Sequence, residues 1–266
     1  MKRYLIAAAA VVAAAFFAGA ARAADTLDEV KTRGRLVAGV KADFPPFGYV
    51  DEKGQLAGFD IDIAREFARA LFGDAGKVEL VPVTSANRIP TLTSGKIDII
   101  LASMTILPER AEVIDFSQPY FLSGHVMLVP KSSSLQKIQE LNGKTAITIQ
   151  GSTGDKYTRE LAPGAERLTY QKTSEALLAL KDGRGAALVH DDILLFTIVK
   201  SEPDLKVVGV PPVKEAPYGL GVRKGNPKWL AFVNEQLGKL KKDGTYDALF
   251  RKWFGDVADK LLKPSA

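Results

Sequence analysis

The 266-residue chain contains no cysteine and only two histidines, and these absences exclude several kinds of chemistry at once. No disulfide can form, and no lipid-bearing cysteine can tether the chain to a membrane. His125 and His190, without any thiol to join them, do not make a zinc site. There is no Gly-x-Ser-x-Gly elbow, no Walker lysine spacing and no dinucleotide glycine fingerprint, so triad hydrolysis and nucleotide binding lack a carrier. Positive charge is present but not concentrated: Lys2, Arg3 and Arg22 supply three of the net +5, and the remaining +2 forms no Lys/Arg run. That distribution argues against nucleic acid as a partner and leaves room for a small anionic ligand.

What is present begins with a processing signal. Lys2 and Arg3 precede an apolar stretch from Tyr4 to Ala20, and Ala21-Arg22-Ala23 is a small-x-small cleavage site. Residues 1–23 are expected to be removed, leaving a soluble protein in a bacterial periplasm. A membrane anchor is the alternative, but the stretch is short for a span of roughly 20 residues. About 240 residues remain, enough for one large core or two ordinary ones.

Strand-like and helix-like patterns alternate throughout, which predicts an α/β protein with parallel sheets covered by helices. The first unit runs from a strand at Arg35 to Val40, through a helix with Ile61, Ile63, Ala64, Phe67 and Leu71 on one face, to a strand at Ile97 to Ala102. A second unit has a strand near Val126 to Val129, a helix near Leu135 to Leu141, a strand Thr145 to Ile149 and further alternation to Val208. Leu92 to Ser103 aligns without gaps on Leu180 to Asp191, each segment a helix end, a Gly-Lys/Arg turn and an apolar strand. Two similar lobes would then present Ser103 and Asp191 from equivalent strand ends, with the ligand between them.

The strand at Ile97 to Ala102 ends in Ser103 and Thr105, and Arg110 follows. Ligands in open α/β sheets sit beyond the carboxyl ends of strands, and a guanidinium with neighbouring hydroxyls matches a carboxylate. Arg110 is thus either half of a carboxylate site or a solvated surface charge. Phe44, in a loop stiffened by two prolines, is either a pocket wall or simply packed against its neighbours. Gln150-Gly-Ser-Thr-Gly154 sets Ser152 and Thr153 at a helix start, where they bind an anion or merely cap the helix. Asp191 is either an acceptor for a bound ammonium or a helix N-cap.

Gly39 to Phe47, Gly58-Phe-Asp-Ile-Asp62, Ala102 to Arg110, Asp115 to Tyr120, Gln150 to Gly154, and Asp243-Gly-Thr-Tyr246 with Lys252-Trp-Phe-Gly255 together resemble the polar amino-acid-binding proteins of bacterial ABC importers. The resemblance runs from Leu36 to Phe254. It implies a two-lobed, type II periplasmic binding fold: lobe one from 24–119 and 219–266, lobe two from 125–213, and hinge crossovers at 120–124 and 214–218, with the C-terminal helices returning to lobe one. It implies no cofactor or metal, an amino acid and importer membrane subunits as partners, and a monomer that docks and leaves. In site terms it implies that Arg110, with Ser103, Thr105 and Thr153, clamps the α-carboxylate. Asp191 would accept from the α-ammonium, Phe44 would cover the ligand and Ala102 would offer a backbone carbonyl.

Selectivity falls to Lys41 and Arg88, which match positions that are basic in the acidic amino-acid binders of the family. Lys41, Arg88 and Arg110 against Asp191 alone leave two surplus positive charges, which a glutamate or aspartate would pair. Lys41 or Arg88 pointing to solvent, or pairing with Asp43, is the alternative. The expectation is therefore an acidic amino-acid carrier that closes its lobes around the ligand. Its rivals are a binder of a neutral polar amino acid such as glutamine, and a periplasmic cyclohexadienyl or arogenate dehydratase on the same scaffold. A dehydratase needs an added general acid, and no residue singles itself out for that.

Overall fold

The computed structural model describes residues 25–209 and 215–255. The expected leader, residues 1–23, lies outside the described residues. Two α/β lobes each carry one main sheet. In lobe one the order is Val78–Pro82, Leu36–Val40, Ile99–Leu101, Gly221–Arg223 and Ile114–Phe116. In lobe two it is Glu166–Tyr170, Thr145–Ile149, Ala187–Asp191, Phe121–Pro130 and Leu205–Val208. A short three-stranded sheet of Asp43–Phe44, Gly48–Val50 and Leu56–Ala57 caps lobe one.

The sheets are mixed rather than wholly parallel. Leu36–Val40 is parallel to both of its neighbours, but Gly221–Arg223 is antiparallel to Ile99–Leu101 and to Ile114–Phe116. Phe121–Pro130 likewise runs antiparallel to Ala187–Asp191. Both exceptions are strands by which the chain enters or re-enters a lobe directly, without the helical crossover that enforces parallel pairing. Phe121 to Gly124 pairs antiparallel with Glu215–Tyr218, so the two passages between lobes form a ribbon. Continuity with this ribbon makes the strand expected at Val126 to Val129 the ten-residue Phe121–Pro130.

The lobe-one helix Phe59–Phe72 buries Phe59, Ile61, Ile63, Ala64, Phe67 and Ala68, most of the stripe its spacing predicts, while Leu71 at its end is only partly buried. Gly58 precedes it at φ 139, where a Cβ would lie 2.2 Å from Phe47 O; only glycine allows that approach. The C-terminal helices Pro227–Lys242 and Thr245–Phe254 pack on the same core. Trp229 is fully buried and donates from Nε1 to Asp98 O at 3.0 Å, which fixes the first of them to the sheet. The helix expected near Leu135 to Leu141 is a single 3-10 turn, Ile138–Leu141, ended by Gly143 at φ 75. No described helix is long and apolar enough to cross a membrane.

The internal repeat has a structural counterpart. Gly95 and Gly183 both leave their helices in the left-handed region, at φ 76 and 71, and Ile99–Leu101 and Ala187–Asp191 are interior strands of their sheets. Ser103 and Asp191 stand at or just past the ends of those strands.

Candidate functional site

The ends of the interior strands face each other, and contacts cross between the lobes. Arg110 donates from Nη1 to Thr105 O at 2.8 Å and from Nη2 to Gly151 O at 3.1 Å, so one guanidinium touches both lobes. Thr105 Oγ1 lies 3.5 Å from Thr153 Oγ1. Phe44 meets His190 edge-on with ring centroids 5.3 Å apart. Thr173 N donates to Asp43 Oδ2 at 2.9 Å. Arg110 is thus not a solvated charge, and Phe44, 1% exposed, packs across the cleft as well as against Phe47.

Asp191 begins the helix Asp192–Ile198 but makes no side-chain cap bond to it. Its Oδ2 accepts from Tyr218 OH at 2.6 Å, and His125 Nε2 stands 2.9 Å from its Oδ1. The same Nε2 is 2.7 Å from Thr153 Oγ1, so a single imidazole nitrogen serves the aspartate and the hydroxyl in turn. Burial works to raise the Asp191 pKa, but the His125 hydrogen bond, the fields of His125 and His190 and the Tyr218 bond outweigh it and hold the carboxyl well below the usual range. Asp191 is therefore an anion at neutral pH. Ser152 is different: its Oγ accepts from Asp155 N at 3.2 Å, the capping alternative for that residue.

Lys41 and Arg88 are each 3% exposed, so neither points to solvent. Lys41 Nζ donates to Ser85 Oγ at 3.0 Å and lies 5.8 Å over the Phe44 ring. Burial, partly offset by Asp43, brings its pKa down to about 8. Arg88 Nη1 donates to Ala102 O at 2.5 Å and more weakly to Ser103 O at 3.4 Å, so the carbonyl expected to face a ligand is engaged by Arg88. Burial and the neighbouring Arg110 lower Arg88 to about 9.

Several functional neighbours carried no signal in the sequence. Asp60, which entered above only as part of Gly58-Phe-Asp-Ile-Asp62, is fully buried and accepts from Ser103 N at 3.0 Å and Tyr120 OH at 2.8 Å. Burial pushes its carboxyl up to about 7. His190 receives Asp191 N on Nδ1 at 2.7 Å, which places its proton on Nε2, and burial lowers its pKa to about 4. Tyr218 was legible only as part of a hinge crossover, and His125 only as one of two histidines too few for a zinc site.

Buried polar atoms are nearly always paired. Here Arg88 Nε, Ser103 Oγ, His125 Nδ1 and His190 Nε2 are buried without a hydrogen bond, and Asp191 Oδ1 has only the His125 Nε2 that it shares with Thr153 Oγ1. Donors and acceptors of both signs therefore remain open where the strand ends of the two lobes meet. No cluster of His, Cys, Asp and Glu among the described residues could hold a metal ion.

Two α/β lobes joined by a two-strand ribbon, with a buried polar cleft between them, are the architecture of a two-lobed solute-binding protein. Residues 36–256 match the bacterial extracellular solute-binding proteins, family 3, and the chain belongs to that family. It is 39% identical to the glutamine-binding protein GlnH of a Bacillus subtilis ABC transporter, over 86% of this chain and 84% of that protein. It is 43% identical to a glutamine-binding protein of Geobacillus stearothermophilus, over 75% and 77%. Among solved structures, the solute receptor for L-cysteine of Neisseria gonorrhoeae superposes with a TM-score of 0.86 at 36% identity, covering 91% of this chain and 98% of that one.

Proposed function

We propose that the protein is the periplasmic binding component of an ABC importer and that it captures a neutral polar amino acid of the glutamine kind. The observation that carries the reading is Asp191: a buried anion whose Oδ1 meets only the His125 Nε2 that Thr153 Oγ1 shares, within electrostatic reach of Arg88 and Arg110. An α-amino acid brings an ammonium to such an oxygen and a carboxylate to such guanidiniums. In this reading Arg110, Ser103, Thr105 and Thr153 take the α-carboxylate, Asp191 takes the ammonium and Phe44 covers the ligand. The side chain faces Lys41 and Arg88. Closure about the two-strand ribbon brings the two halves of the site together, and the closed form is what the importer recognises.

The charge inventory moves the ligand away from the acidic class. The surplus counted in the sequence set three cations against Asp191 alone. Asp43 sits beside Lys41, and Asp60, which with a pKa of about 7 carries part of a charge at neutral pH, feels the field of Arg88, so Asp191, Asp43 and Asp60 offset most of the charge of Lys41, Arg88 and Arg110. Lys41 and Arg88 also already have oxygen partners in Ser85 and Ala102. A second ligand carboxylate would enter a site whose positive surplus is largely met already and would lose its hydration for little counter-charge. A neutral amide needs only donors and acceptors. The two glutamine-binding relatives agree with this direction.

A dehydratase on this scaffold would need a free general acid. Asp60 has a pKa suited to that task, but Ser103 and Tyr120 occupy its oxygens. The proposal is tested by purifying the protein without denaturant, releasing its ligand in acid and identifying it by mass spectrometry. Glutamine or another neutral polar amino acid is expected; glutamate or aspartate would return the assignment to the acidic class.

A further inference from the structure

Ser103 is the one non-glycine among the described residues with positive φ, at 48°. L-residues avoid this left-handed region, and those found in it are held by their surroundings, commonly at ligand sites. Its holder is visible. Asp60 Oδ2 accepts from Ser103 N at 3.0 Å, at a point where both groups are buried. The other oxygen of the same carboxylate accepts from Tyr120 OH at 2.8 Å. Tyr120 in turn donates its N–H to Tyr218 O at 2.9 Å, and its carbonyl accepts from Tyr246 OH. Tyr120 immediately precedes Phe121–Pro130, the strand that leaves for lobe two. One carboxylate therefore joins the turn that carries Ser103 to the base of the interlobe ribbon.

Asp60 occupies the second position of Phe59–Phe72, where the helix dipole favours an anion. Among the described residues it has no salt-bridge partner, although a fully buried carboxylate is costly to ionise. A group kept there at such cost, with both oxygens spent on the backbone of a strained site residue and on a tyrosine of the ribbon, is not explained by packing. Ser103 Oγ, meanwhile, is buried without a well-formed hydrogen bond, although it lies near enough to the Asp60 carboxyl to lower its pKa. We infer that Asp60 is a positioning residue for ligand binding, fixing Ser103 in its left-handed conformation so that its hydroxyl is presented to the ligand carboxylate. This rests on the amino-acid-binding reading above, and Asp60 itself does not touch the ligand.

Isothermal titration calorimetry with glutamine on Asp60→Ala, Asp60→Asn, Ser103→Gly and the double variant Asp60→Ala/Ser103→Gly tests it. Loss of a buried hydrogen bond to a charged group predicts about ten- to hundred-fold weaker binding for Asp60→Ala. Asp60→Asn stays within about three-fold, because its carbonyl accepts from Ser103 N and its amide donates to the Tyr120 hydroxyl. Glycine adopts positive φ without a Cβ penalty, so in the Ser103→Gly background Asp60→Ala costs less than about three-fold. An Asp60→Ala penalty equal in the two backgrounds, or no penalty at all, overturns the inference. Should Asp60→Ala not fold, Asp60→Leu fills the volume, lacks the acceptor and is read against the same outcomes. Wild-type protein that binds no amino acid sinks the site reading together with this inference, whereas wild-type binding with an unaffected Asp60→Ala sinks this inference alone.

Discussion

Asp43 holds the N-terminus of a helix that belongs to the other lobe. The helix Thr173–Lys181 starts after Lys172, which supplies no capping side chain, and its first N–H is taken instead by Asp43 Oδ2 at 2.9 Å. Such an acceptor satisfies one of the orphan donors at a helix start, and its removal typically costs about 0.5–2 kcal/mol. In a two-lobed carrier that energy belongs only to the closed form, since open lobes leave Thr173 N to water. Asp43→Ala should therefore weaken ligand affinity by about two- to thirty-fold. Asp43 also faces Lys41, so charge and capping must be separated. Asparagine caps as well as aspartate but is neutral. Asp43→Asn should accordingly stay near wild type if the cap is what matters. Stopped-flow kinetics place the effect: a latch that forms on closure predicts a faster ligand off-rate with little change in on-rate. Equal losses in Asp43→Ala and Asp43→Asn, or a change confined to the on-rate, would refute the reasoning.

Two further outcomes follow from the same contacts. A Cβ on Gly151 would lie 2.8 Å from Ala86 Cα on the opposite lobe, and its φ of 74 already disfavours a side chain. Gly151→Ala should thus cost affinity out of proportion to stability, with a loss of tenfold or more against an unfolding change of about 1 kcal/mol, read by calorimetry and urea denaturation. The second concerns pH. The Asp60 carboxyl is raised from 3.8 to about 7 by burial, so the unfolded chain loses its proton at a lower pH than the folded one. Its contribution is full below 3.8 and is lost as pH rises through about 7, a fall on the order of 4 kcal/mol. Asp60→Asn should flatten that part of the profile in urea titrations between pH 4 and 8; an unchanged slope would mean that Asp60 does not titrate there.

Much of the architecture was legible because it is written in local pattern. The stripe from Phe59 to Ala68, the paired Gly-Lys/Arg turns and the apolar strands behind Ser103 and Asp191 are each contained in a dozen residues or so. The grouping of Arg110 with Thr105 was also within reach, being only five residues apart. What escaped depends on long-range closure. Asp60 reaches Ser103 across 43 residues, and no helix-start pattern distinguishes a buried carboxylate from the exposed acids that usually occupy a first turn. The same blindness produced the surplus of positive charge. Lys41 and Arg88 were visible as cations, and Asp43 and Asp60 stood inside the quoted motifs, but nothing local showed that these carboxylates turn inward to face them. Parallel sheets were expected because alternation implies helical crossovers, and it says nothing of strands that cross between lobes without one.

The central claim is that a buried Asp191 and Arg110 clamp an α-amino acid whose side chain is neutral. Its most direct test is a calorimetric titration of ligand-free wild-type protein with glutamine, asparagine, cystine, glutamate, aspartate, histidine and arginine, repeated with glutamine on Arg110→Ala. Glutamine or another neutral polar amino acid should bind at least tenfold tighter than glutamate and aspartate, and Arg110→Ala should lose about a hundredfold or more, the scale of a removed bidentate charge-assisted contact. Tighter binding of glutamate or aspartate than of every neutral ligand, or an Arg110→Ala variant that binds like wild type, would contradict the account.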